Sequence, residues 1–137
     1  MKAILAAALV LSLSAQAFAY MAEDSYAAYS RTAESITGDI QFDDFSITFA
    51  NGETLEFSDL VGDAFVVDGE TVPASLYRVA TPADPELENG NALCGSGDVT
   101  YIGSWGAGDG LVAVAVFTGD SLPESSYEIC ASYIYVD

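Results

Sequence analysis

Apolar and polar positions alternate through most of the chain beyond residue 37. Phe45, Ile47 and Phe49 alternate with Ser46, Thr48 and Ala50, and Thr54, Leu55, Glu56 and Phe57 alternate again after Asn51-Gly52. A period of two over such short runs predicts half-buried strands. Asn-Gly suggests a two-residue type I′ turn, but that register sets Phe49 against Thr54 and Ile47 against Glu56, mixing apolar and polar on each face. A three-residue loop, Ala50-Asn51-Gly52, pairs Ile47 with Leu55 and Phe45 with Phe57, and puts Gly52 in the left-handed position of a bulge. One face is then apolar, and the other carries Ser46, Thr48, Thr54 and Glu56.

A second hairpin, residues 64–72, turns about Asp68-Gly69, where a two-residue turn pairs Phe65 with Val72. Pro73 belongs at a strand end or sheet edge. Residues 75–80 read as a strand with Tyr77 and Val79 on one face. Residues 81–97, rich in Pro, Asn and Gly, read as a long flexible surface connection. Leu111–Phe117 has no polar residue, which predicts a strand covered on both faces, paired across residues 106–110 with residues 99–105. A polar loop, residues 118–128, leads to a closing strand, residues 130–136. The pattern predicts an all-β domain, a small antiparallel barrel or sandwich of six to eight strands. The small Val-Ala-Val-Ala alternation of the Leu111 strand favours the barrel, because it suits a crowded interior and closure removes edges.

The first residues follow a different pattern. Residues 1–19 read as a cleaved signal peptide: Lys2, an apolar run over residues 3–13, and the small-x-small site Ala17-Phe18-Ala19. The run is shorter than the roughly 20 residues that span a bilayer, and no lipid-anchor cysteine follows it. The expected product is soluble, unanchored, and located in the periplasm or secreted. Residues 20–37 read as a short N-terminal helix or disordered arm, with Ala22, Tyr26, Tyr29, Ala33 and Ile36 at helical spacing. Residues 38–137 form the single β domain.

Export gives the two cysteines a role. Cys94 and Cys130 are expected to form one disulfide, pinning the entry of the last third to its closing strand. Charge narrows the partners. Removing the signal takes Lys2 and no acid, leaving Arg31 and Arg78 against 21 acidic residues, a net −19. That excludes nucleic acid and anionic membrane surfaces, and admits cationic proteins or divalent cations.

The candidate chemistry is sparse. The chain has no histidine, no Gly-x-Ser-x-Gly elbow and no lysine beyond the signal, so the common nucleophile and base arrangements have no residues to build them, and no enzyme or cofactor is expected. Calcium suits an oxygen-rich chain; Asp39, Asp43 and Asp44 form one local acidic group and Asp109 sits in a glycine turn, but neither has EF-hand spacing. In the closing strand Tyr133 and Tyr135 face away from Cys130, Ser132, Ile134 and Val136. They are core if the strand is central, or a recognition patch beside Tyr101 or Trp105 if that face is open.

Size, export and a single disulfide resemble the periplasmic C-type lysozyme inhibitors, small exported β-barrel proteins with a cationic target. That family carries a Ser-Gly-x-x-Tyr loop. Here Ser96-Gly97-Asp98-Val99-Thr100-Tyr101 is one residue longer, and the family's lysine-bearing second motif is absent. The resemblance is one of class, shared with small exported bacterial one-disulfide β-domains generally, and carries over no functional residue. The expected function is an exported binding or structural module that engages a cationic protein or peptide. The alternative is a small-ligand or calcium-binding β-barrel.

Overall fold

The computed structural model describes residues 25–137. The expected signal peptide and the start of the expected arm lie outside the described residues. Eight antiparallel strands follow one another around a closed barrel, each paired with its neighbours in sequence. They are β1 (Ser25–Ala28), β2 (Ile40–Phe42), β3 (Ser46–Thr48), β4 (Thr54–Val67), β5 (Glu70–Ala83), β6 (Val99–Gly108), β7 (Leu111–Phe117) and β8 (Ala131–Val136). The all-β barrel expected from the alternation is the fold.

The hairpin registers follow side-chain parity. Ile47 lies opposite Leu55, Phe57 N–H donates to the Phe45 carbonyl at 2.8 Å, and Gly52 has φ of 96°. Phe65 lies opposite Val72, with Asp68 and Gly69 both at positive φ, as a type I′ turn requires. Asp109-Gly110 repeats that turn between β6 and β7. Pro73 lies within β5, at a position that β6 does not pair, so its missing N–H interrupts no ladder on that side.

Part of the N-terminal expectation needs correction. Residues 25–28 are a strand, and β1 closes the barrel by pairing Tyr26 with Ile40 of β2 and Ala28 with Tyr135 of β8. The helical structure of this stretch is short, with a π-helical turn at Ala33–Thr37. Ser30 sets its start, accepting from the Ala33 and Ile134 N–H groups at 3.2 and 3.1 Å and so tying the turn to β8. The helical spacing of Tyr26 and Tyr29 with Ala33 is overridden because barrel closure requires an extended segment there. The connection between β5 and β6 also differs from the expected flexible loop. Leu87 and Leu93 are buried in the barrel core, Asp84 accepts from the N–H groups of Cys94 and Gly95, and the Cys94–Cys130 disulfide ties the segment to the start of β8. The cysteine pair is bonded as expected, with Cα atoms 5.9 Å apart. A covalent link closing a loop of this length contributes about 4 kcal/mol in the chain-entropy model.

The interior is filled. Ile40, Ile47, Leu55, Val79, Ile102, Val114 and Val116 pack there with Tyr77, Tyr133 and Tyr135. Each phenol reaches a polar partner: Tyr133 donates to the Leu93 carbonyl at 2.6 Å, Tyr77 to Asp44 Oδ1 at 2.6 Å, and Tyr135 shares a 2.6 Å bond with Thr37 Oγ1. Thr37 Oγ1 also lies 3.2 and 2.9 Å from the Ala33 and Gly38 carbonyls, to which its single hydrogen goes, so Tyr135 is the donor to Thr37.

A second core lies outside the barrel wall. The distal half of the β4–β5 hairpin packs Phe65 against Trp105 and Phe117, with ring centroids 5.2 and 5.6 Å apart. Leu76, Tyr101 and Ala115 complete the cluster. The small residues of β7 serve this outer face: Ala113 and Ala115 lie opposite Trp105 and Gly103, while Val114 and Val116 fill the interior. The alternation indicated the right fold, but the alanines make room for a covering hairpin, not for a crowded interior.

Two predictions follow from this packing. Gly52→Ala meets open space but must hold positive φ, and should destabilise by about 1 kcal/mol. Gly38→Ala carries the same backbone penalty at φ 65° and adds a Cβ 2.5 Å from that of Ala50, so it should cost about 2 kcal/mol or more. Chemical denaturation of both variants tests the order; equal losses would remove the Ala50 contact from the account. The second prediction concerns alkaline pH. Burial, with a smaller contribution from Asp84, pushes the Tyr133 phenol up to about 12. Burial also raises those of Tyr77, with help from Asp44, and Tyr135. Below about pH 10 folded and unfolded chains both keep these protons. Above it the unfolded chain loses them and the folded one does not, so stability falls as pH rises. Part of the phenolate absorbance should therefore appear only together with loss of the strand signal in circular dichroism. Full tyrosine ionisation with the fold intact would contradict this.

Candidate functional site

Strand lengths in the barrel are unequal, and this creates the site. β4 has 14 residues and its neighbour β3 has three. β3 pairs only with Thr54–Glu56, and Phe57 N–H makes the last contact, to Phe45. Farther along β4, Val66 bridges Ser125 and its N–H donates to the Glu124 carbonyl at 3.2 Å. Between these points, residues 58–65 pair with β5 on one side and have no strand partner on the other. They form an open stretch of sheet edge in the barrel wall.

The far boundary of this edge is built by Glu128. Its carboxylate accepts from the Glu124 and Ser125 N–H groups at 2.9 and 3.3 Å, and Ser125 Oγ accepts from Tyr127 N–H, a reciprocal capping box around a one-turn 3₁₀ segment, Ser126–Glu128. That arrangement fixes the carbonyl on which Val66 ends. Leu122, Pro123 and Glu124 then stand beside Gly62–Val66 and enclose a groove of about 260 Å³ in whose lining Phe65 and Leu76 take part.

The edge carries both apolar and acidic side chains. Among the described residues six large hydrophobic side chains are exposed, and three of them mark this line: Phe45 (72%) just before β3 begins, Leu60 (56%) on the edge, and Leu122 (42%) across the groove. Glu56, Asp59, Asp63 and Glu124 are all exposed around it. Arg78 is the nearby cation, with Nε 3.5 Å from Asp59 Oδ1 and Nη1 3.0 Å from the Tyr101 hydroxyl. Both ends of the Arg78–Asp59 pair are about half exposed, so it contributes little to stability.

A larger groove, of about 680 Å³, lies along β1–β3, lined by Tyr26, Asp39, Phe49 and Val136 among others. The strands that form it are paired with one another, so it offers side chains but no free main-chain ladder.

The aromatic patch weighed in the sequence does not assemble. Tyr133 and Tyr135 face the interior and are 2% and 0% exposed. Tyr101 and Trp105 lie on the other side of the wall, Tyr101 buried and Trp105 half-buried under the covering hairpin. Parity separates the pairs: Tyr133 lies opposite inward Val114, and Tyr101 opposite outward Phe117. Because Tyr101 is buried beside Arg78, the Ser96–Tyr101 loop does not present its tyrosine to a partner.

The acidic group also divides. Asp39 accepts from Ala28 N–H, Asp43 from the N–H groups of Phe45 and Ser46, and Asp44 from the Tyr77 hydroxyl. Each carboxylate completes a different turn or strand. Among the described residues no three acidic or thiol side chains gather as metal ligands do.

Sequence reading missed the open edge because Ser58, Asp59, Gly62 and Asp63 interrupt the alternation, and register shifts at Phe57/Asp59, Leu60/Gly62 and Gly62/Ala64 break the period. The available signal was spacing: an Asp-Gly turn more than ten residues beyond an Asn-Gly turn implies a strand that outruns its predecessor. No family model, no curated protein and no solved structure matches the chain.

Proposed function

We propose that the chain is an exported binding module for a cationic protein or peptide, recognised on the outside of the barrel. The observation that carries this reading is the open, apolar-lined edge of β4 set in a surface with 21 acidic and three basic residues in the whole chain. The barrel interior is occupied by packed side chains, so recognition belongs to the exterior. The disulfide fits an oxidising compartment, in keeping with the signal peptide read from residues 1–19 and with a periplasmic or secreted location. A cationic target is also what the class likeness to lysozyme inhibitors implies.

A field of this sign attracts any basic molecule, so attraction alone is no test. The test is a titration of the mature protein with lysozyme and with a panel of basic, neutral and acidic peptides at low salt and at about 0.15 M, where the Debye length is about 8 Å. Binding to a basic ligand that survives at the higher salt supports the module. Binding that vanishes there for every member would refute it.

The same charges bear on stability. Acidic groups within about 10 Å of one another repel at 0.1 M salt or below, which favours expanded chains over the compact state. The melting temperature should therefore rise from low to moderate sodium chloride, and millimolar calcium at constant ionic strength should add little. A calcium shift of many degrees would reveal a specific cation site and overturn this reading.

A further inference from the structure

We infer that residues 58–65 of β4 receive an extended basic segment of the partner as an added strand. This rests on the reading of the chain as a module for cationic partners, and it places the contact. A β edge with free N–H and carbonyl groups is the template on which extended peptides dock, with ladder hydrogen bonds supplying affinity and side-chain pockets supplying selectivity. Proteins blunt such edges with bulges and charges or cover them; this one is blunted by Asp59, Asp63 and register shifts but not covered. Here the barrel circuit is closed, and this stretch of β4 stays open between the Phe45 contact on one side and the Val66–Glu124 bond on the other.

The occupant follows from charge and from the apolar line. Residues 58–65 carry Asp59 and Asp63 themselves and have Glu56 and Glu124 beside them, and the one nearby cation, Arg78, is already beside Asp59. A second copy of this chain would bring the same acids to the same edge, and like charges placed across a strand pair are destabilising. A strand bearing Lys or Arg meets the acids, and its alternate apolar side chains can enter the groove between Gly62–Val66 and Leu122–Glu124, past Leu60. The acids that discourage self-pairing therefore select a partner of opposite sign.

The probe is a synthetic extended peptide of about eight residues that alternates Lys and Val, with a Glu-Val peptide of the same length as its counterpart. Amide hydrogen exchange of the whole mature protein is followed with and without each peptide at about 0.15 M salt. The expected result is fast exchange of amides within 58–65 in the free protein, slowed by about tenfold or more by the Lys-Val peptide only. Asp63→Lys with Glu124→Lys should weaken its binding by about tenfold. Glu34→Lys with Asp98→Lys, which changes net charge equally at a distance, should leave it within about twofold. Binding with protection elsewhere would overturn the edge site and leave the module standing. No binding of the Lys-Val peptide or of any other basic ligand would refute both. Equal protection by the Glu-Val peptide would overturn the charge argument, and concentration-dependent protection without peptide would assign the edge to self-association.

Discussion

Three phenol hydroxyls inside an apolar barrel set the terms for what covers it. A buried hydroxyl without a partner costs more than an ordinary hydrogen bond contributes. Tyr133, Tyr135 and Tyr77 each find one on a segment outside the strand ladder: the Leu93 carbonyl, Thr37 and Asp44. The β5–β6 connection, the turn before β2 and the β2–β3 turn are thus held to the interior by directional bonds as well as apolar contact. Asn89 Nδ2 donates to the Ser35 carbonyl and Asn51 Nδ2 to the Glu86 carbonyl, joining these covers to one another and to the first hairpin. The disulfide then adds a covalent tie to a segment already placed by Tyr133 and Leu93.

A barrel of eight strands encloses packed side chains or one small ligand, and here packed side chains occupy the interior. The β4–β5 hairpin uses part of the outer surface itself, folding over β6 and β7 because Gly103 and Ala115 leave space for Leu76 and Phe117. A Cβ at position 103 would stand 2.7 Å from Leu76 Cδ2. The same excursion carries β4 past the end of β3. The covered outer core and the open edge are two consequences of one long hairpin.

How much of this was legible depends on the range of the interaction. Local parity settled the Ile47–Leu55 and Phe65–Val72 registers, because a one-residue slip would have turned every apolar side chain to the wrong face. The signal-peptide reading made the Cys94–Cys130 bond the expected one. Tyr133 and Tyr135 were legible as a pair sharing one face, but which face was inside depended on β8 lying between β7 and β1. The β1 strand was not legible at all: its few residues make two pairs with β2 and two with β8, and closure, a property of the whole sheet, decides their conformation. The open edge was hidden for a related reason, since an absent partner has no signature in the strand that lacks it.

The acidic surface connects these features to function. An unpaired edge with Leu60 and Leu122 exposed beside it is an aggregation site on a neutral protein. Bulges and acids at Asp59 and Asp63 guard against that outcome by two different means. Register shifts toward β5 bend β4 and interrupt the regularity of its edge. Carboxylates act only through sign: they oppose a second copy, whose edge carries the same groups, and favour a basic segment. Bulges and charged side chains are both ways in which proteins protect a sheet edge without covering it. On the proposed reading, protection that works through charge leaves the edge usable by a basic partner, and the exposed apolar side chains along it give that partner something to bind beyond the charge.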